Sequence, residues 1–195
     1  MTADRKSASV SLRLVRNAVA GSDSIVDNEQ DRKSGNGDGK VLIAFFSWGG
    51  NTKEIAEQIQ SKTGADLFEI ELVHTYSEDY NTVLNEAQHD KNEQARPEIK
   101  NHVKNMEQYD CVILGYPNWW ASIPMPIASF LEEYDFSGKM IVPFCSHGGG
   151  RFGQSLTAIA KLAPDAVIGE GLAVNYSGGS ELSHEIEQWL KVNGM

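Results

Sequence analysis

Cysteine is scarce in this chain, with Cys111 and Cys145 the only two among 195 residues. Both fall in or at the end of apolar runs, where a free cysteine acts as a small buried hydrophobe. No disulfide framework is expected, and a reducing, cytoplasmic setting follows. Long hydrophobic runs are also missing: none nears the length of a membrane span and none resembles the apolar region of a secretory leader, which argues against membrane insertion. Basic charge is in deficit. Residues 1–39 hold six Lys/Arg and six Asp/Glu, while 11 basic and 21 acidic residues lie from Lys40 onward, so the whole formal charge of −10 falls in that second part. This argues against nucleic acid and anionic membrane as partners, because both demand basic surface. The acidic surface serves solubility or steers a basic protein partner. Metal-ligand spacing is absent too, since His74, His89, His102 and His184 are scattered through polar stretches.

What is present is organised around Lys40–Thr52. The apolar run Val41 to Phe46 stops at Ser47, Trp48, Gly49, Gly50, Asn51 and Thr52, and a helical pattern opens immediately after. A strand, a tight turn and a helix in that order present free backbone N–H groups and the positive end of a helix dipole, an anion site that needs no basic side chain. Ser47 and Thr52 add hydroxyl donors, the glycines allow close approach, and Asn51 with Glu54 fits a capping box. The stretch reads as a phosphate cradle or as an ordinary strand-to-helix turn.

Residues 1–39 end in the Gly- and Asp-rich DNEQDRKSGNGDG and read as a polar, flexible extension, with one domain over 40–195. From Lys40 the pattern is regular. The spacing predicts a helix over Asn51–Lys62 and a half-exposed edge strand over Asp66–Leu72. Tyr80, Val83, Leu84 and Ala87 give a helix starting near Glu78, and a second short helix is expected after Arg96-Pro97, through Ile99 and Val103 to Met106. Asp110–Tyr116 suits a central strand buried on both faces. Pro124-Met125-Pro126 opens the next helix, and Met140–Phe144 is a fourth strand. A helix over Gln154–Leu162, a strand within Ala166–Val174 and a helix over Ser180–Val192 complete the chain. Alternation of this kind predicts an α/β fold with a doubly wound, five-stranded parallel sheet, and the order 2-1-3-4-5 would bring the loops after strands one, three and four to one point.

The second of those loops, Pro117, Asn118, Trp119, Trp120 and Ala121, carries an adjacent pair of indoles, read as facing solvent to meet an aromatic ligand or a partner, or with one of the two packed in the core or under a lid. The third follows Cys145 with Ser146, His147, Gly148 and Gly149. Its His147 either braces the loop backbone or bonds a polar ligand edge. Gly148, Gly150 and Gly153 satisfy G-x-G-x-x-G, although in the fourth unit of the sheet rather than the first. Cys145 and Arg151 have the C-x5-R spacing of a cysteine phosphatase, a remote alternative in which a thiolate attacks phosphorus.

Taken together, FFSWGGNTKEIAEQI, DCVILGYPNWWASIPMPIASFLE, VPFCSHGGGRFGQS and the Ala95-Arg96-Pro97 triplet make the chain resemble the flavodoxin-like family of FMN proteins, in particular its short bacterial members. The resemblance spans most of Lys40–Val174. It implies that Ser47 to Thr52 is the FMN-phosphate loop, of pattern T/S-x-T/S-G-x-T, with Ser47, Gly50 and Thr52 matching and Gly49 standing where a hydroxyl residue would be. It further implies that Pro117–Ala121 borders the flavin ring, with Trp119 or Trp120 stacking, and that Ser146–Gly150 reaches the ring's polar edge. The implied function is electron transfer to or from a redox protein. The same fold also carries NAD(P)H-dependent reductases of small quinones or flavins.

Overall fold

The computed structural model describes residues 39–195. The flexible extension expected over residues 1–39 lies, but for Gly39, outside the described residues. The elements are β1 (Lys40–Phe45), α1 (Asn51–Thr63), β2 (Asp66–Glu69), α2 (Tyr80–Glu93), β3 (Tyr109–Pro117), α3 (Met125–Glu133), β4 (Met140–His147), α4 (Ser155–Leu162), β5 (Val167–Ile168), β6 (Leu172–Asn175) and α5 (Leu182–Val192). All strand pairs are parallel and the order is β2-β1-β3-β4-β5, with β6 also pairing β4. This is the doubly wound 2-1-3-4-5 sheet. Among the described residues no helix is long and apolar enough to cross a membrane.

Alternating strand residues feed two cores, because successive side chains point to opposite faces. On one face Leu42, Val112 and Leu114 meet Ile127, Phe130 and Leu131 of α3 and Ile159 of α4. On the other, Ile43, Ile113 and Phe144 meet Ile55 and Ile59 of α1 and Ile186 and Trp189 of α5. β1 and β3 therefore lie side by side while the helices that follow them cover opposite faces, which makes the carboxyl ends of these strands the switch point of the sheet. Gly115 is indispensable to the packing: a Cβ built there would sit 2.1 Å from the Phe144 ring.

Three expectations are corrected. The fifth strand is not continuous. β5 and β6 share one sheet position and are interrupted at Gly169-Glu170-Gly171, opposite Val142 and Pro143, the latter having no N–H to offer a ladder. The interruption is held by α5: Glu170 N donates to Asn193 Oδ1 at 2.8 Å, and Glu170 O accepts from Trp189 Nε1 at 2.7 Å. The helix expected from Ile99 to Met106 is absent. That segment extends the β2 edge instead, through an antiparallel bridge between Leu72 and Ile99 and bonds from Val73 N to Glu98 O and from Lys100 N to Glu71 O. Asn101 then satisfies the Glu71 N–H and the Glu69 carbonyl, and only a 3-10 turn, Met106–Gln108, remains. Finally, Asn51 is the first residue of α1 rather than its cap; Gly50 takes the cap position at φ 89, and among the described residues no side chain caps the helix.

Candidate functional site

The loops after β1, β3 and β4 converge on a cavity of about 450 Å3. Its size falls within the range usual for small-molecule and cofactor sites. The β1 loop supplies Ser47, Trp48, Gly49, Asn51 and Thr52. Pro117 to Trp120 come from the end of β3, and Ser146 to Gly148 from the end of β4. Gly50, Ala121 and Gly149 do not line it. They shape the loops: Gly50 turns the chain into α1, Ala121 O accepts from Gln154 N at 2.7 Å, and Gly149 N donates to His147 Nδ1 at 2.9 Å.

Two loops are tied by their hydroxyls. Thr52 Oγ1 and Ser146 Oγ lie 2.8 Å apart and both residues are buried. Ser47 Oγ accepts from Lys53 N at 3.3 Å, a long bond that leaves its own O–H free to point elsewhere. A Cβ built on Gly49 or Gly50 meets nothing within 4 Å, so the loop backbone stands open to whatever occupies the space beside it. The open turn at the start of a 13-residue helix thus combines backbone donors with a favourable dipole.

Of the two indoles, one packs and the other faces outward, the alternative in which one of the pair is structural. Trp119 is half-buried, its ring edge-on to Phe46 at 5.5 Å and to Tyr76 at 5.1 Å. Trp120 is 41% exposed and its Nε1 donates to Leu84 O at 3.0 Å. The difference comes from the backbone. Trp119 and Ser122 exchange both N–H···O bonds across a two-residue turn in which Trp120 and Ala121 both adopt left-handed φ, 49 and 56. Two adjacent non-glycine residues in that region store strain, and surrounding bonds keep them there: Lys91 Nζ donates to Trp120 O, and Gln154 N to Ala121 O.

The cavity has walls that the sequence did not assign to it. α2 contributes Tyr80, Val83, Leu84 and Ala87, and Tyr176, just after β6, adds a further aromatic whose hydroxyl lies beside Gly148. The helical spacing of the α2 residues announced an apolar face, but not that the face would look onto the site. Trp48, whose Nε1 donates to Ser77 O at 2.8 Å, packs against Tyr80.

Among the described residues, no Lys, Arg, Asp or Glu lines the cavity. His147, which does line it, is held below the usual histidine range by burial and then by the nearby Arg151 charge. Cys145 does not fit the phosphatase alternative. Its side chain is fully buried in an apolar cluster, burial pushes the thiol up to about 12, and Sγ donates to the Arg151 carbonyl at 3.5 Å. A thiol with that environment supplies no thiolate near neutral pH. Gly153 of the dinucleotide-like motif is committed to packing, since a Cβ there would come within 2.5 Å of Ala121 O.

A parallel sheet of this order, with a cavity at its switch point and an open helix start beside it, defines a doubly wound α/β protein. The family profile of the flavodoxins matches residues 40–193, and the chain belongs to that family. It is similar to a candidate flavoprotein from Bacteroides eggerthii, at 33% identity over 81% of this chain and 99% of that one, with a TM-score of 0.72. A second candidate flavoprotein, from Bacteroides uniformis, is 25% identical over 78% and 98% of the two chains, with a TM-score of 0.68. The fold is shared with a Lactobacillus acidophilus flavoprotein solved in complex with FMN, at 21% identity over 78% and 99% and a TM-score of 0.65. No curated protein matches the chain.

Proposed function

We propose that the protein binds FMN in this cavity and carries electrons to or from a redox protein, working in a reducing, cytoplasmic setting. The observation that carries the reading is the meeting of three donor-rich loops around an uncharged, aromatic-walled cavity at the switch point of the sheet. The residues present fit the group. Ser47, Thr52, Ser146 and the open backbone of Gly49 would hold the phosphate without a cation, while Trp119, Trp120 and Trp48 offer faces and edges to a flat ring. Asn118 Oδ1 is a buried acceptor with no donor among the described residues, as expected of an atom that pairs with a ligand. The FMN complex of the Lactobacillus acidophilus flavoprotein, which shares the fold, adds support.

When bound, FMN supplies the one- and two-electron chemistry. The chain's own residues set its conditions. The α2 face, through Val83 and Leu84, keeps water from one side of the cavity. Among the described residues no Lys or Arg lines the site, and the domain from Lys40 onward carries the full net charge of −10, so these residues give added negative charge no compensation. A low reduction potential follows. The test is a visible spectrum of the purified protein and a titration of FMN fluorescence. A yellow preparation, or quenching that saturates at one FMN per chain, is expected; a colourless protein that leaves FMN fluorescence unchanged would overturn the reading.

The α2 wall favours a second reading, an NAD(P)H-dependent reductase in which a small quinone or flavin lies against Tyr80, Leu84 and Trp120. Rapid oxidation of NAD(P)H by the FMN-loaded protein with a quinone would select it over the carrier.

A further inference from the structure

The ends of β3 and β4 run side by side, with Pro117 in register with Ser146 and Asn118 N donating to Ser146 O at 2.8 Å. The next residues, Asn118 and His147, are therefore neighbours on adjacent strand ends, and both line the cavity. Each has had its hydrogen-bonding sense fixed from behind. Gly149 N–H donates to His147 Nδ1, so that nitrogen carries a lone pair and the neutral ring keeps its proton on Nε2. Asn118 Nδ2 donates to the Arg151 carbonyl, which identifies the other amide atom as the oxygen, and that oxygen is buried without a donor. One residue is thus a committed donor and the other a committed acceptor, and neither atom has a hydrogen-bond partner among the described residues.

Resting on the FMN reading above, we propose that Asn118 and His147 form an acceptor–donor pair that reads the imide edge of the flavin ring. Asn118 Oδ1 takes the ring N–H and His147 Nε2–H gives a hydrogen bond to an adjoining carbonyl. The pyrimidine end of a flavin carries one N–H between two carbonyls, and an acceptor beside a donor is the complement of that edge. Asn118 Oδ1 is shielded from water, so the ring N–H reaches it through a small turn of the amide, which exchanges an unpaired acceptor for a paired one. A site that commits buried polar atoms to a ligand edge rejects analogues lacking the partner atoms far better than apolar contact can.

The experiment compares FMN with 3-methyl-FMN, in which a methyl replaces the ring proton, by fluorescence titration of the full chain. Wild type should bind the methylated flavin at least tenfold more weakly. In Asn118→Leu, which keeps the bulk and removes the acceptor, the methylation penalty should shrink to threefold or less. His147→Leu should weaken FMN binding about tenfold, and His147→Gln, which keeps an N–H donor, should restore most of the loss. Equal affinity of wild type for the two flavins, or a penalty undiminished in Asn118→Leu, overturns the pairing while leaving FMN as the ligand. Wild type that takes up neither flavin overturns the FMN reading and the pairing with it.

Discussion

The loop after β1, proposed above to hold the FMN phosphate, has Gly49 where the resemblance places a hydroxyl residue, and restoring that hydroxyl is a direct test of what the loop holds. At Gly49 a Cβ meets nothing within 4 Å and the backbone lies outside the left-handed region, so Gly49→Ser is accommodated without strain. The new hydroxyl would stand between Ser47 and the start of α1. A hydrogen bond to a charged group contributes about 1.5–3 kcal/mol, and ordering the added side chain offsets part of it. A net gain of about 1 kcal/mol corresponds to roughly fivefold tighter binding. The control is Gly50→Ala, whose φ of 89 forces a side chain into the left-handed region at a cost of about 1–2 kcal/mol of stability. Titration by fluorescence quenching or calorimetry should show FMN bound more tightly by Gly49→Ser, with riboflavin, which has no phosphate, bound as before. Unchanged or weaker FMN affinity would refute the reasoning. An equal gain for riboflavin would show that the hydroxyl acts on something other than phosphate.

Gly115→Ala should cost about 3 kcal/mol in urea unfolding, because its Cβ would sit 2.1 Å from a Phe144 ring that is itself fully buried; a loss below 1 kcal/mol would mean the strands yield more easily than their packing implies. Cys145→Ser should leave the hydrolysis of p-nitrophenyl phosphate at background, as in the parent chain, and lower stability by about 1 kcal/mol; measurable hydrolysis abolished by the substitution would revive the phosphatase chemistry. His147 should titrate below the ordinary histidine value of about 6.5 in NMR spectra. Because its folded-state pKa is depressed, its neutral form contributes stability that is present above about pH 6.5 and lost as pH falls through the folded value. Arg151→Gln should raise the midpoint only partway, since burial is the larger cause; full return to the ordinary value would make Arg151 the main one.

The parts of the site that could be read from sequence are those where composition and position are both local. Gly49, Gly50 and Thr52 follow an apolar strand directly, Pro117 ends another, and Ser146 to Gly149 follow a third, so each loop announces itself and the parallel winding alone brings them together. What stayed hidden depends on partners far along the chain. The break between β5 and β6 survives because Trp189 and Asn193 satisfy Glu170, about 20 residues earlier; the nearer signal was Pro143, a residue unable to complete a ladder in the neighbouring strand. The edge segment around Ile99 has helical spacing, yet the exposed β2 edge and the Asn101 amide offer its backbone a better set of bonds.

The indoles show the same limit most sharply. Trp119 and Trp120 are chemically identical neighbours, and no property of the pair says which one packs on Phe46 and which one faces outward. That choice is made by the left-handed turn at Trp120 and Ala121, which would ordinarily be disfavoured for both residues. It is sustained by Lys91 and Leu84 of α2 and by Gln154 ahead of α4. Since α2 also supplies the wall formed by Val83 and Leu84, the helix that closes the cavity is the one that fixes Trp120 beside it. Local chemistry thus names the three loops, while the docking of α2 decides which of their aromatic faces a ligand meets.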